Sequence, residues 1–254
     1  MTFSWKNLEV HAPEISHRRG LSREYSIAFN SPLSVVFLGR LQKTNPTRYG
    51  EWMPLTVQEQ FGQIDIYVFD QILRGNITHE MRVLDAGCGY GRNLVHLLRQ
   101  GCEIFALDED RDAINHVRKL SVSLETGLPA QNFQVGEIEQ MPFPDAFADV
   151  VLCNSVLHFA RDEAHFTKML SELWRVLRPG GMLFCRLGSR IGMTFQRVRD
   201  NIYLIADGSE WFLVDEKMLL DLGEKMNAVL VDPLKTTIVQ DYRCMTTWVL
   251  RKRT

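Results

Sequence analysis

Residues 83 to 91 read VLDAGCGYG. An apolar run meets an acidic residue, Asp85, and glycines follow at 87, 89 and 91. Glycine loses more conformational freedom on ordering than any other residue, so such a cluster marks positive φ angles or close backbone approach. A strand, a glycine turn and then a helix leave free backbone N–H groups at the helix N-terminus, where open α/β sheets receive nucleotide-like ligands. One glycine would suit a plain tight turn. Three favour a ligand that comes near the backbone.

The spacing sorts the ligand classes. In the dinucleotide fingerprint G-x-G-x-x-G, Gly87 and Gly89 fill the first two positions but Arg92 occupies the third. No G-K-[ST] follows, so the Walker A loop is absent. Asp108 closes the next apolar run, nineteen residues after Gly89. A carboxylate there can accept hydrogen bonds from both hydroxyls of a ribose, or cap the following helix. Nicotinamide enzymes use the same device, so Asp108 indicates a ribose without naming the cofactor.

Outward from this turn, short apolar runs alternate with helical stripes. Strands are expected at 82–86, 103–108, 132–136, 148–154 and 182–187. Helices are expected after the glycine turn up to Gly101, over 110–121 and over 162–177, the last with Phe166, Met169, Leu170, Leu173, Val176 and Leu177 on one face. This alternation implies right-handed crossovers and a parallel sheet covered on both faces. Upstream, VQEQFGQIDIYVFDQIL carries one helical stripe ending near Gly75. Downstream, a polar stretch from about 188 precedes a helix at 215–226. Two β-like segments, 228–232 and 244–252, have the short separation of an antiparallel edge hairpin.

The chain has 254 residues, 45% hydrophobic and 24% charged, with net charge −2. That suits a soluble α/β domain and not a globally basic nucleic-acid binder. Residues 1–50 carry a local excess of four positive charges, read as a solvated face. Five cysteines without a C-x-x-C pair indicate reduced core thiols and a cytoplasmic setting. The histidines show no metal-ligand spacing, so no metal is assigned. No apolar stretch has membrane-spanning length and the N-terminus lacks a signal pattern, so no membrane is expected.

The segments VLDAGCGYG, ALDED, VGEIEQMPFPDAFADVVLCNSVLHF and LWRVLRPGGMLF, in this order, resemble the successive motifs of class I S-adenosylmethionine-dependent methyltransferases. The likeness is closest to the small-molecule, methyltransferase-11-like subgroup, and spans about residues 57–252. It implies a Rossmann-like three-layer sandwich with a mostly parallel seven-stranded sheet, an antiparallel C-terminal edge hairpin and an N-terminal helical cap. It also implies S-adenosyl-L-methionine as cofactor, with Asp85, Gly87, Cys88, Gly89 and Gly91 around the methionine end. Asp108, with Glu109 beside it, would hold the ribose. Glu137 would meet the adenine amine, Ile138 the ring, and Cys153 and Asn154 would lie beside the sulfonium. The family more often has Asp at 137, and Asp rather than Ala at 148.

Methyl transfer from a sulfonium is an in-line displacement, so alignment and water exclusion matter most, and a base is needed only for a protonated acceptor. His158 is the base candidate, set against a packed histidine. Ser155, His158 and Arg186 are the acceptor-side candidates; Asn154 and Ser155 also suit a helix cap, and Arg186, Arg190, Arg197 and Arg199 a solvated loop. The amino-methyltransferase element [DNS]-P-P-[YFW] and the Pro-Cys nucleophile of cytosine enzymes are missing, which disfavours nucleic acid. The expected partner is a small-molecule acceptor, with the protein a monomer or homodimer. A cofactor-binding regulatory module without turnover, a tRNA or protein methyltransferase, and a nicotinamide oxidoreductase are the other readings considered. Residues 1–55, with Phe3, Trp5, Tyr25, Phe29, Phe37, Tyr49 and Trp52, are read as a lid over residues 56–254.

Overall fold

The computed structural model describes residues 54–254, together with the backbone of two short antiparallel strands, β1 (Asn45–Pro46) and β2 (Trp52–Met53). The rest of the proposed N-terminal lid lies outside the described residues.

Two helices lead into the sheet. Thr56 and Glu59 form a capping box at the start of α1 (Val57–Phe61), and Asp65 caps α2 (Ile66–Leu73) by accepting from the Tyr67 N–H. The single stripe expected here is therefore broken in two. Gly62 ends α1 at φ +64°, a conformation that no continuing helix allows.

The glycine turn sits where the motif demands. β3 (Arg82–Ala86) runs through it into α3 (Leu94–Gln100), which Gly101 terminates in the left-handed region. β4 (Glu103–Asp108), α4 (Arg111–Ser123), β5 (Phe133–Val135), β6 (Ala148–Asn154) and α5 (Glu163–Val176) then alternate as expected. The next strand, β7 (Leu177–Gly188), starts five residues early. Leu177 pairs with Ala148 and Met182 with Val150, so the Arg-Pro-Gly-Gly stretch forms a bulge within the strand rather than a loop before it.

After β7 comes an unforeseen meander of β8 (Gln196–Arg199), β9 (Ile202–Leu204) and β10 (Glu210–Phe212), an antiparallel sheet of its own. α6 (Glu216–Lys225), β11 (Ala228–Leu230), β12 (Lys235–Val239) and β13 (Arg243–Lys252) follow. The expected two-strand hairpin contains a third strand. β12 makes the tight turn with β13, and β11 pairs farther along the same edge of β13.

The main sheet has the order β11-β13-β7-β6-β3-β4-β5, with β12 also on β13. The five strands from β7 to β5 are parallel, and the late strands run against them. Alternate side chains supply opposite cores. Val83, Val150, Leu152, Phe184 and Val249 pack with residues of α2, α3 and α4. Leu84, Val151, Cys153, Leu183 and Trp248 pack with residues of α5 and α6. The result is a three-layer α/β/α sandwich whose glycine turn opens at the carboxyl ends of β3, β4 and β6.

Candidate functional site

Gly87, Gly89 and Gly91 all have positive φ, at +78°, +50° and +75°. A Cβ on Gly87 would lie 2.4 Å from Val156 Cγ2, so this glycine lets the turn close onto the segment after β6. Gly89 differs: a Cβ there would meet nothing within 4 Å, and its face of the turn is open. The Gly89 N–H donates to Asp108 Oδ2 at 2.8 Å, and the Asp110 N–H donates to Asp108 Oδ1 at 2.9 Å. Asp108 thus ties β4 to the glycine turn, while Asp110 is the residue that caps α4. Glu109 is exposed beside it.

Asp85 is buried, and neither carboxylate oxygen has a hydrogen-bond partner among the described residues. Burial pushes its pKa up to about 7; nearby Arg92 opposes the rise and Asp108 adds to it. An unsatisfied buried acid is costly unless a cation or donor completes it. Cys88 is buried too, its thiol pushed far up by burial and so held protonated. The Gly136 N–H donates to the Asp108 carbonyl, which brings Glu137 to the same sheet edge. Glu137 is exposed, and Ile138 is buried against the core of the α5 and α6 side.

At the end of β6, Cys153 and Asn154 part company. The Cys153 thiol is fully buried next to Cys185, the residue in register on β7, which raises its pKa together with burial. Its side chain belongs to the core on the α5 and α6 side of the sheet. Asn154 Oδ1 accepts from Arg92 at 3.1 Å and from Ser155 Oγ at 2.9 Å, while its buried Nδ2 has no partner. Ser155 adopts φ +67°, and its N–H donates to the Arg186 carbonyl at 2.7 Å.

His158 is 2% exposed and stacked on Trp211 at 4.1 Å between ring centroids. Its Nδ1 accepts from the Gly188 N–H, and burial lowers its pKa to about 4. In the neutral ring the remaining proton sits on Nε2. The structure thus places His158, the base candidate, as a buried neutral ring stacked on Trp211.

Sequence reasoning missed a cluster here. Asp65, its side chain 5% exposed, forms ion pairs at Oδ2 with Arg186 at 3.3 Å and with Arg92 at 3.5 Å. The Arg186 guanidinium lies over the Tyr67 ring at 5.4 Å, and its Nε is buried without a partner. Arg92 entered the sequence reading merely as the residue that breaks the dinucleotide fingerprint. Asp65 was hidden inside an apparent helical stripe, where its N-cap position ahead of Ile66 was the available signal. Arg190 pairs with Asp215 and Arg199 with Glu210, both at the surface. Among the described residues no cluster of His, Cys, Asp and Glu could hold a metal ion.

Comparison with known proteins agrees with this geometry. Residues 84–185 match a family model described as a methyltransferase domain. A probable S-adenosylmethionine-dependent methyltransferase of Mycolicibacterium smegmatis is 36% identical over 120 residues, 46% of this chain and 41% of that protein. The malonyl-[acyl-carrier protein] O-methyltransferase of Yersinia pestis is 33% identical over 121 residues, 46% of this chain and 42% of its own length. The chain thus spans about two fifths of the curated relatives it matches. A 1,6-didemethyltoxoflavin-N1-methyltransferase of Burkholderia thailandensis, solved with S-adenosylhomocysteine and its didemethyltoxoflavin, shares the fold. Its TM-score is 0.59 at 18% identity, over 78% of this chain and 81% of that one. Over residues 84–185 the chain is thus similar to the methyltransferase domain family, and over about three quarters of its length it shares the fold of a solved methyltransferase.

Proposed function

We propose that this protein is an S-adenosylmethionine-dependent methyltransferase acting on a small-molecule acceptor. The observation that carries the reading is Asp85, a buried carboxylate with no hydrogen-bond partner among the described residues, on β3 four residues before Gly89, whose face of the turn is open. A cationic amine on a ligand lying along the turn would complete it, and the methionine end of the cofactor has one.

The residues present fit such a ligand. Gly87, Cys88, Gly89 and Gly91 would follow its amino-acid end through the backbone. Asp108, with Glu109 beside it, would take the ribose hydroxyls on lone pairs that the two backbone N–H groups leave free. Glu137 and Ile138 would flank the adenine, and Asn154 and the Cys153 backbone would border the transfer point. When bound, the cofactor supplies an electrophilic methyl group. The chain's part is to orient the acceptor and keep water out. The five free, buried cysteines favour a reducing, cytoplasmic setting.

Calorimetry with S-adenosylhomocysteine tests the reading: micromolar binding is expected, about −7 to −9 kcal/mol. No heat with this ligand and saturable binding of NADH would overturn it. Turnover against an acceptor panel separates an enzyme from a module that only binds.

A further inference from the structure

Resting on that reading, we infer that the acceptor is a carboxylate, held by Arg186 and Arg92 at the ends of β7 and β3 and methylated on oxygen without a base.

The charge count at this edge is uneven. Two guanidiniums, which stay protonated in proteins, face the single Asp65 carboxylate. Asp65 is held in place from its other side: its Oδ1 accepts from the Tyr67 N–H, and its own N–H donates to Asn93 Oδ1. It therefore serves as a fixed counter-ion for one of them; Asp85, the other carboxylate near Arg92, is the one the cofactor's amine would neutralise, and one positive charge is left over. Two donors here have no partner among the described residues, Arg186 Nε and Asn154 Nδ2, on residues in direct register across β6 and β7. A buried donor without an acceptor costs free energy that a ligand oxygen would recover. Both are planar N–H groups, suited to the two in-plane oxygens of a carboxylate. One surplus charge and two donors match a monoanion.

The second line of reasoning is independent. Alcohols and ammonium groups must lose a proton to become nucleophiles, yet His158 Nδ1 is already engaged by the Gly188 N–H. A carboxylate is ionised at neutral pH. One of its oxygens forms the new O–CH3 bond with a lone pair. The S–CH3 electron pair stays on sulfur, the two opposite charges cancel, and no proton moves. The attacking oxygen uses a lone pair that Arg186 and Asn154 leave free. The relative from Yersinia pestis carries an O-methyltransferase name, which accords with oxygen as the atom methylated.

The cofactor's own methionine carboxylate is a second source of the same chemistry, and the test separates the two. Purified protein with S-adenosylmethionine is offered straight-chain acids from butanoate to hexadecanoate and monoethyl malonate, each beside its amide, alcohol and amine. Methyl ester is read by mass spectrometry. Binding of S-adenosylhomocysteine and of its decarboxylated analogue is read by calorimetry for the wild type, Arg186→Gln and Arg186→Lys. The expected result is ester from at least one acid and nothing from the amides. Arg186→Gln should raise the KM for that acid about tenfold or more, as for a lost charged hydrogen bond, with Lys intermediate and S-adenosylhomocysteine affinity within twofold of wild type. Three results overturn the inference while leaving the cofactor reading intact. They are methylation of an alcohol or amine in place of acids, no acid turned over by a protein that binds S-adenosylhomocysteine, and an Arg186→Gln loss confined to the carboxylated cofactor form. Absence of any S-adenosylhomocysteine binding by the wild type defeats the cofactor reading itself.

Discussion

Burial lifts the Asp85 carboxyl from its ordinary 3.8 to about 7. The folded chain therefore holds this proton more tightly than the unfolded chain does. The stabilising contribution is complete below about pH 3.8, declines as the pH rises, and is gone above pH 7, where the folded state carries a buried charge. Three units correspond to up to about 4 kcal/mol. Asp85→Asn keeps the shape and removes the charge. It should raise the melting temperature of the protein without added ligand at pH 8, have little effect at pH 4.5, and weaken S-adenosylhomocysteine at least tenfold. Thermal melts at both pH values and calorimetry check this; equal melting shifts at the two pH values would contradict it. The residue would then be one kept for binding at a cost in stability. Asp85 was legible from the sequence as the acid that ends an apolar run. Its lack of a partner was not, because that depends on every neighbour the fold brings near.

The glycine turn separates the two costs of a side chain at the level of an element. Gly87→Ala adds a Cβ 2.4 Å from Val156 Cγ2 at φ +78°, so strain and overpacking combine to roughly 2–4 kcal/mol. Val156→Ala in the same chain should return part of this, the part due to crowding, in a double-mutant cycle. Gly89→Ala meets open space and should cost only about 1–2 kcal/mol through its φ of +50°, yet impair S-adenosylhomocysteine binding strongly. Urea unfolding and calorimetry on the same samples read both quantities. A Gly89→Ala variant with unchanged ligand affinity would contradict the cradle. Elements with alternating or continuous apolar patterns were legible, and β3, β4 and β6 match their expected limits residue for residue. β8 was not, since all four of its residues, Gln-Arg-Val-Arg, are exposed and their pairing satisfies the backbone without burying a face. β12, Lys-Thr-Thr-Ile-Val, follows a proline and is half-exposed, so it reads as part of a connection. The Asp65, Arg92 and Arg186 cluster gathers residues from three distant segments, and no spacing rule connects them.

At the scale of the whole molecule, ligand binding and folding are linked by mass action. S-adenosylhomocysteine at a hundred times its Kd should stabilise the protein by about 2.7 kcal/mol. For a domain of this size that raises the melting temperature by roughly 5–11 °C. A thermal shift series in ligand concentration measures it, and a flat series would contradict binding to the folded state. The sheet order adds a constraint in time. β13 lies between β7 on one side and β11 and β12 on the other, although it is made after all three. While the nascent chain lengthens, β7 presents an open, apolar hydrogen-bonding edge, and β11 and β12 have no strand to join. A ribosome stalled anywhere between residues 190 and 242 would hold a half-sheet with its stickiest margin uncovered. Chaperone occupancy should therefore rise once β7 has left the ribosome and fall only when Arg243–Lys252 is free to pair. The protein's vulnerability during synthesis is set by the place of its late strand, not by the strength of its core.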